Sequence, residues 1–181
     1  MILAIDTSQH IYSIATSTGL YVAWEDINIT ISSQIPQNTL SKITGIIINI
    51  GPGRYSGIRS GIAFTLGLAR AKQIPIYVVS SLQLCASATK HKTRINIALD
   101  ARKNQAYFQT FDQQAPVSEI TLINQSQLQD IAAVLPTYGS VSHTIPTITS
   151  AKTMIDYFEQ ASLHPTSPEN IKAIYIRSAV D

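Results

Sequence analysis

The sequence predicts an α/β fold made of two similar lobes, and three observations indicate it. Two short apolar runs each end in an aspartate, Asp6 and Asp100, and a polar turn and a second apolar run follow each of them. Residues 2–16 align with residues 96–110 at an offset of 94, with three identities in register. A glycine-rich turn at 51–57 leads from a further apolar run into a helical pattern. A repeated layout of this kind is the sequence signature of a duplicated unit.

The first half of the chain alternates short apolar runs with turns. Runs of this length bounded by turn residues predict buried strands, and Gly19 joins the second and third of them in a meander. Apolar side chains at helical spacing predict a helix after the glycine-rich turn, and a serine cap precedes a second one. The expected strands are 1–6, 11–16, 20–25, 45–50 and 74–79, and the expected helices are 58–72 and 80–89. Residues 26–44 are polar and leave room for a helix of only about 10 Å at 37–43.

The second half repeats the strand, aspartate, turn and strand of the first. We expect an amino-terminal lobe at 1–90 and a carboxy-terminal lobe at 91–181. The strands expected after residue 90 are 95–100, 106–111, 119–123, about 137–141 and 173–177, and the helices are 126–135 and 150–161.

Composition excludes two classes of protein. Hydrophobic residues make up 45% of the 181 residues and charged residues only 13%, so the chain has enough apolar surface to fold and is not disordered. The longest apolar runs fall far short of the ~20 residues of a membrane span. A single cysteine, Cys85, excludes an intramolecular disulfide and is typical of the reducing cytoplasm, where we expect the protein to be found.

Positive charge is concentrated in one part of the sequence. Residues 27–99 hold eight bases and no acid. If these bases share a face, their field favours a phosphate-bearing ligand, RNA or an acidic partner surface. The alternative is uneven decoration of a charge-poor surface. The bases are Lys42, Arg54, Arg59, Arg70, Lys72, Lys90, Lys92 and Arg94.

The glycine-rich segment 51–61 has two interpretations. A loop between a strand and a helix can direct backbone N–H groups at an anion, which makes Asp6, Gly51 and Gly53 weak candidates for phosphate binding. Its spacing matches neither of the common phosphate-loop motifs. Alternatively, the glycines at 53, 57 and 61 allow another element to approach closely, within the chain or across an interface.

The residue types needed for metal binding or nucleophilic catalysis are scattered. No two of the four histidines lie three to five residues apart, so we assign no metal site. Cys85 lies among apolar residues and is interpreted as a buried thiol rather than a nucleophile. Asp6 has a second interpretation, as the acceptor of a local turn, and for Asp100 we expect a turn-stabilising pair with Arg102. No catalytic residue is assigned.

Four segments together resemble the TsaB family, also called YeaZ. They are I-L-A-I-D-T-S ending at residue 8, G-P-G-R-Y-S-G-I-R at 51–59, D-A-R-K-N-Q-A-Y at 100–107 and I-Y-I-R at 174–177. The resemblance implies an actin, sugar-kinase and Hsp70-like fold with two similar lobes, each a mixed sheet with flanking helices. Two departures are that residues 54–56 read R-Y-S where the family usually has S-F-T, and that the segment at 27–44 is short.

The resemblance also implies a function. TsaB is similar to the catalytic subunit TsaD but lacks its metal-binding histidines. It is the non-catalytic scaffold that supports TsaD in forming N6-threonylcarbamoyladenosine at position 37 of tRNAs that read ANN codons. Implied partners are TsaD, TsaE through the complex, tRNA indirectly and a second copy in a homodimer. We expect no intrinsic cofactor, with ATP or ADP bound at the interface of the complex, and neither ATP nor peptide hydrolysis by the chain alone.

The helix at 58–72 is the expected contact with TsaD. Its glycines would let two backbones meet and its aliphatic residues would supply apolar area. Two alternatives stay open: a nucleotide-binding enzyme of the same fold that uses Asp6 and the glycine loop, and a reduced copy that only self-associates. The expected interface residues are Gly53, Gly57, Ile58, Arg59, Gly61, Ile62, Thr65 and Ala69.

Overall fold

The computed structural model describes residues 1–25 and 29–176, which form two compact units. The first unit comprises Met1–Ser80 and Ser150–Ala173, and the second comprises Ser81–Thr149 with residues 174–176. The described strands and helices, in chain order, are β1 Ile2–Asp6, β2 Tyr12–Thr16, β3 Tyr21–Trp24, α1 Gln37–Leu40, β4 Gly45–Asn49, α2 Tyr55–Lys72, β5 Ile76–Val79, α3 Ser81–Thr89, β6 Ile95–Arg102, β7 Gln105–Asp112, β8 Ala115–Pro116, β9 Thr121–Asn124, α4 Leu128–Val134, β10 Thr137–Gly139, β11 Ile145–Pro146 and α5 Ala151–Gln160.

The first unit is a five-stranded mixed sheet with a helix on each face. The strand order is β3-β2-β1-β4-β5, in which β1 runs antiparallel to β2 and parallel to β4. Leu3, Ile5 and Ile48 form one core cluster with Ala69 of α2. On the opposite face the Ala151 amide of α5 donates to Ser13 Oγ at 2.9 Å. The carboxyl ends of β1 and β4 therefore lie side by side, next to the start of α2.

The second unit repeats this arrangement. Its strand order is β11-β10-β6-β7-β8, with β9 also paired to β7, and β6 runs antiparallel to β7 and parallel to β10. Helix α3 packs on the face that carries Ile97, and Leu128 of α4 packs against Ala98 on the other face. Each unit is thus a mixed sheet with flanking helices, and the predicted α/β architecture of two similar lobes is confirmed.

The aspartate of each duplicated segment accepts the same hydrogen bond. The Ser8 amide donates to Asp6 Oδ1 at 3.0 Å, and the Arg102 amide donates to Asp100 Oδ1 at 2.9 Å. A side-chain acceptor two residues before the amide defines an Asx-type turn. The two copies differ in environment, because Asp6 is buried and Asp100 is exposed.

Four structural expectations need correction. The units are not continuous in sequence as 1–90 and 91–181, because the buried face of α5 returns the chain to the first sheet. Helix α2 begins at Tyr55 rather than at residue 58, since Arg54 is the last extended residue of the turn. The strand expected at 173–177 is wrong for 173–176, which pair with neither sheet, and Arg177 lies outside the described residues. Helix α1 covers one turn rather than two.

Candidate functional site

Polar side chains meet where β1 and β4 end. Asp6 and Asn49 are the last residues of these two neighbouring parallel strands, so the fold brings them together although 43 residues separate them. Asp6 Oδ1 accepts from the Ser8 amide at 3.0 Å, from Ser8 Oγ at 2.7 Å and from Asn49 Nδ2 at 3.2 Å. Asn49 Nδ2 also donates to Ser8 Oγ at 3.0 Å. The three side chains form a closed hydrogen-bonded cluster.

Burial sets the protonation behaviour of this cluster. Asp6 is 1% exposed, and desolvation raises its pKa above the ordinary value of 3.8, while hydrogen bonds from Ser8 and Asn49 act in the opposite direction. Desolvation is the larger cause because a buried carboxylate loses its hydration. Asp6 therefore holds its proton to a higher pH than an exposed aspartate does.

The glycine-rich turn folds back onto the residues after β1. The Gly51 amide donates to Asn49 Oδ1 at 2.9 Å, and the Arg54 amide donates to the Ser8 carbonyl oxygen at 2.7 Å. A Cβ atom at Gly53 would lie 2.3 Å from the same Ser8 oxygen, so only glycine fits there. These two amides are used within the chain. Nucleotide binding by Asp6, Gly51 and Gly53 stays a prediction.

The inner face of α2 lies directly on Thr7. A Cβ atom at Gly57 would lie 2.0 Å from the Thr7 carbonyl oxygen, and one at Gly61 would lie 2.3 Å from Thr7 Oγ1. Five of the eight predicted interface residues are buried on this face, and an outward position is therefore wrong for them. They are Gly57, Ile58, Gly61, Thr65 and Ala69. The spacing by four of residues 57, 61, 65 and 69 serves packing within the first unit.

The outer face of α2 carries a different set of small and basic residues. Arg59, Ala63, Gly67 and Arg70 are exposed, and a Cβ atom at Gly67 would meet nothing within 4 Å. Arg59 Nη1 donates to the Tyr55 hydroxyl at 2.7 Å, which orders the first turn of the face. Sequence reasoning missed Ala63 and Gly67. Residues 59, 63 and 67 are also spaced by four, and they lie on a different side of the helix from residues 57, 61, 65 and 69. This second spacing is the signal that would have found them.

The remaining predicted interface positions lie at the edges of that face. Gly53 and Ile62 are half-buried, and Ile62 packs against the core of the first unit. Of the predicted residues, Arg59 alone is exposed. Whether α2 binds another protein stays a prediction.

The stretch of residues 27–99, which holds eight bases and no acid, is divided between the two units. Its first five bases belong to the first unit, and Lys90, Lys92 and Arg94 belong to the second. Arg54 lies over the Tyr12 ring with its guanidinium carbon 5.9 Å from the ring centroid. The three bases of the second unit lie within one exposed segment of five residues.

Three other features bear on function in the described part of the chain: metal-ligand clusters, the single thiol and membrane-spanning helices. In residues 1–25 and 29–176, no three His, Cys, Asp or Glu side chains come together as metal ligands would. Cys85 is buried, and desolvation raises the pKa of its thiol to about 12, with an opposing hydrogen bond from Thr147. Among the same residues, no helix has the length and apolar character needed to cross a bilayer.

Comparison with known proteins finds one family model and several curated relatives that match this chain. The family model described as "TsaD: tRNA N6-adenosine threonylcarbamoyltransferase" matches residues 28–152. The chain is 32% identical over 120 residues to the tRNA threonylcarbamoyladenosine biosynthesis protein TsaB of Bacillus subtilis, a match that covers 59% of this chain and 52% of that protein. It is 34% identical over 73 residues to the Escherichia coli protein of the same name, covering 39% of this chain and 32% of that protein.

The fold agrees with a solved structure. A Pseudomonas aeruginosa protein described as uncharacterized, with similarity to the peptidase YEAZ, superposes with a TM-score of 0.70 at 20% identity. That match covers 97% of this chain and 99% of the other, and at this identity it reports on the fold. By contrast, the sequence matches span only about half of the Bacillus subtilis relative and a third of the Escherichia coli one.

Proposed function

Because the chain belongs to the TsaB (YeaZ) group of the family described as tRNA N6-adenosine threonylcarbamoyltransferase, we propose that it supports TsaD as a non-catalytic subunit. The product of the complex would be N6-threonylcarbamoyladenosine at position 37 of tRNAs that read ANN codons. TsaE joins through the complex, and ATP or ADP binds at an interface within it. In this role the chain contributes a docking surface.

The outer face of α2 is the observation that supports this proposal. Ala63 and Gly67 leave an open strip on the helix, between Arg59 and Arg70. At 1.5 Å per residue the two arginines lie about 16 Å apart along the axis. Small residues let a second helix approach closely, and arginine is enriched where proteins meet. A partner helix with acidic residues at both ends fits this surface.

The two faces of α2 have different surroundings, since one packs on the sheet and the other is exposed, and this strengthens the proposal. The buried glycines press the helix onto Thr7, so its outer face is held by a rigid sheet. A surface presented on a fixed element loses little conformational entropy when it binds. The same strip would mediate self-association when TsaD is absent, and the homodimer and the complex with TsaD would then exclude one another.

Two substitutions on this strip test the proposal without disturbing the fold. Ala63→Gln and Gly67→Gln place a longer polar side chain where the partner backbone would lie, and both positions are exposed. We expect each to weaken capture of the cognate TsaD by at least about tenfold, which corresponds to about 1.4 kcal/mol. Ala133→Gln is the matched control, since Ala133 is an exposed alanine in α4 of the second unit.

Affinity for TsaD would be measured by titration, and self-association by analytical ultracentrifugation. The proposed docking surface requires a loss with both α2 variants and none with Ala133→Gln. Wild-type affinity in both α2 variants would show that TsaD contacts another part of the chain.

A further inference from the structure

The segment between α3 and β6, residues 90–94, is a compact group of exposed bases. It reads Lys-His-Lys-Thr-Arg, and all five residues are exposed. Within residues 1–25 and 29–176, Lys90 and Lys92 form no ion pair. Two unpaired ammonium groups two positions apart produce a local positive potential that attracts an anion.

His91 fixes this segment to the core of the second unit. Its Nε2 is hydrogen-bonded to the Tyr138 hydroxyl at 2.5 Å, and the two rings lie 5.1 Å apart. Tyr138 is buried in the cluster that also contains Ile97. The amides of Lys90 and His91 donate to the Ser87 carbonyl and to Thr89 Oγ1, both at 3.2 Å. The two lysines therefore flank an anchored residue.

Arg94 differs from the two lysines in its surroundings. It lines an open cavity of about 580 Å³ to which Asp130 also contributes. Asp112 lies opposite Arg94, one position beyond the last β6–β7 pair, Ile95 with Phe111. The positive potential of the segment therefore depends on Lys90 and Lys92.

The chemistry of the segment favours RNA over an acidic protein. Lysine is depleted in protein–protein interfaces, which use aromatic residues, methionine and arginine, and residues 90–94 contain no aliphatic or large aromatic side chain. Phosphate contacts are made by lysine, arginine and hydroxyl side chains, and all three occur here. We propose that residues 90–94 bind the phosphate backbone of RNA, in this case tRNA, an identification that rests on the proposed function.

The test compares two double variants with the same change in charge. Lys90→Gln/Lys92→Gln removes the proposed contact. Arg102→Gln/Lys103→Gln removes two exposed bases from the turn at the opposite end of β6 and is the matched control. Binding of a fluorescently labelled tRNA transcript to the full chain would be followed by anisotropy at about 50 and about 200 mM salt.

A plot of log affinity against log salt has a negative slope, and each lost phosphate contact reduces the magnitude of that slope by about 0.9. We therefore expect the slope of Lys90→Gln/Lys92→Gln to be shallower than that of the wild type by about 2. Over that fourfold change in salt, the affinity of the wild type should drop about tenfold more than that of this variant. Arg102→Gln/Lys103→Gln should keep the wild-type slope.

The proposal is overturned if the wild type does not bind tRNA, if neither variant changes the slope, or if both change it equally, which would indicate net charge alone. Capture of TsaD by the same proteins separates this proposal from the proposed function. Normal capture with any of those RNA results leaves the docking role intact and rejects the RNA contact. Loss of capture by Lys90→Gln/Lys92→Gln with unchanged tRNA binding would assign the segment to a protein partner instead.

Discussion

Gly57 is the position at which the structure makes its sharpest prediction about stability. In Gly57→Ala the new Cβ would lie 2.0 Å from the Thr7 carbonyl oxygen and 3.1 Å from the Tyr12 ring. Carbon–oxygen contacts normally lie at about 3.3–3.6 Å, so α2 must move away from β1 by about 1 Å or more. That movement also loosens the close approach of Gly53 to Ser8, because the glycine turn and the helix are continuous.

The magnitude follows from two opposing effects. Overpacking a well-packed core typically costs about 1–3 kcal/mol, and a clash with the backbone belongs at the upper end of that range. Replacing glycine by alanine inside a helix recovers up to about 1 kcal/mol. We expect a net loss of about 2 kcal/mol for Gly57→Ala. Gly67→Ala meets nothing within 4 Å and should gain about 0.8–1 kcal/mol, which makes it the matched control.

Urea unfolding followed by tryptophan fluorescence measures this difference. Trp24 is the only tryptophan in the sequence, and it packs edge-on to Tyr12 in the core of the first unit. Gly57 and Gly67 both belong to that unit. With a slope of about 2 kcal/mol per molar urea, the midpoint should fall by about 1 M in Gly57→Ala and rise by about 0.4 M in Gly67→Ala. A Gly57→Ala midpoint equal to the wild-type value would refute the packing of α2 on Thr7.

Two further predictions concern buried titratable groups. Because desolvation raises the pKa of Asp6 above its ordinary 3.8, the folded state binds this proton more tightly than the unfolded state does. The wild type should therefore lose stability relative to Asp6→Asn as pH rises from about 4 through the folded pKa, and a difference in urea midpoint that is constant between about pH 3 and about pH 7 contradicts this. Cys85 is buried and the pKa of its thiol is raised to about 12, so a disulfide reagent should label the native protein at least about a hundredfold more slowly than the urea-unfolded protein. Prompt labelling without urea would show that the packing of α3 on the second sheet does not bury the thiol.

Sequence reasoning succeeded where local chemistry and topology coincide. The aspartate at the end of an apolar run predicts both a strand end and an acceptor for the turn that follows. Asp6 takes both roles in the structure, whereas Asp100 takes only the second, because β6 continues past it to Arg102. The duplication was visible for the same reason, because each copy needs a strand, a polar turn and a returning strand in fixed order. Contacts between neighbours in sequence leave a pattern that periodicity can detect.

The face on which the glycines of α2 lie could not be predicted in this way. Spacing by four shows that Gly57 and Gly61 share a side of a helix, and close approach explains why they are small. Neither fact identifies what approaches. Thr7 is distant from them in sequence, and a pattern within the helix does not reveal that its backbone lies beneath Gly57. Long-range contacts decide between packing within a chain and packing across an interface.

The glycine turn and the helix after it are best understood as one packing device. Asn49 accepts from the Gly51 amide, Ser8 accepts from the Arg54 amide, and Gly53 closes over the same Ser8 oxygen. Each contact draws the start of α2 toward the end of β1, and the glycines of the helix continue that contact along Thr7. Since the inner face of α2 packs on the sheet, a partner that binds this helix must contact its exposed positions, among them Arg59, Ala63, Gly67 and Arg70.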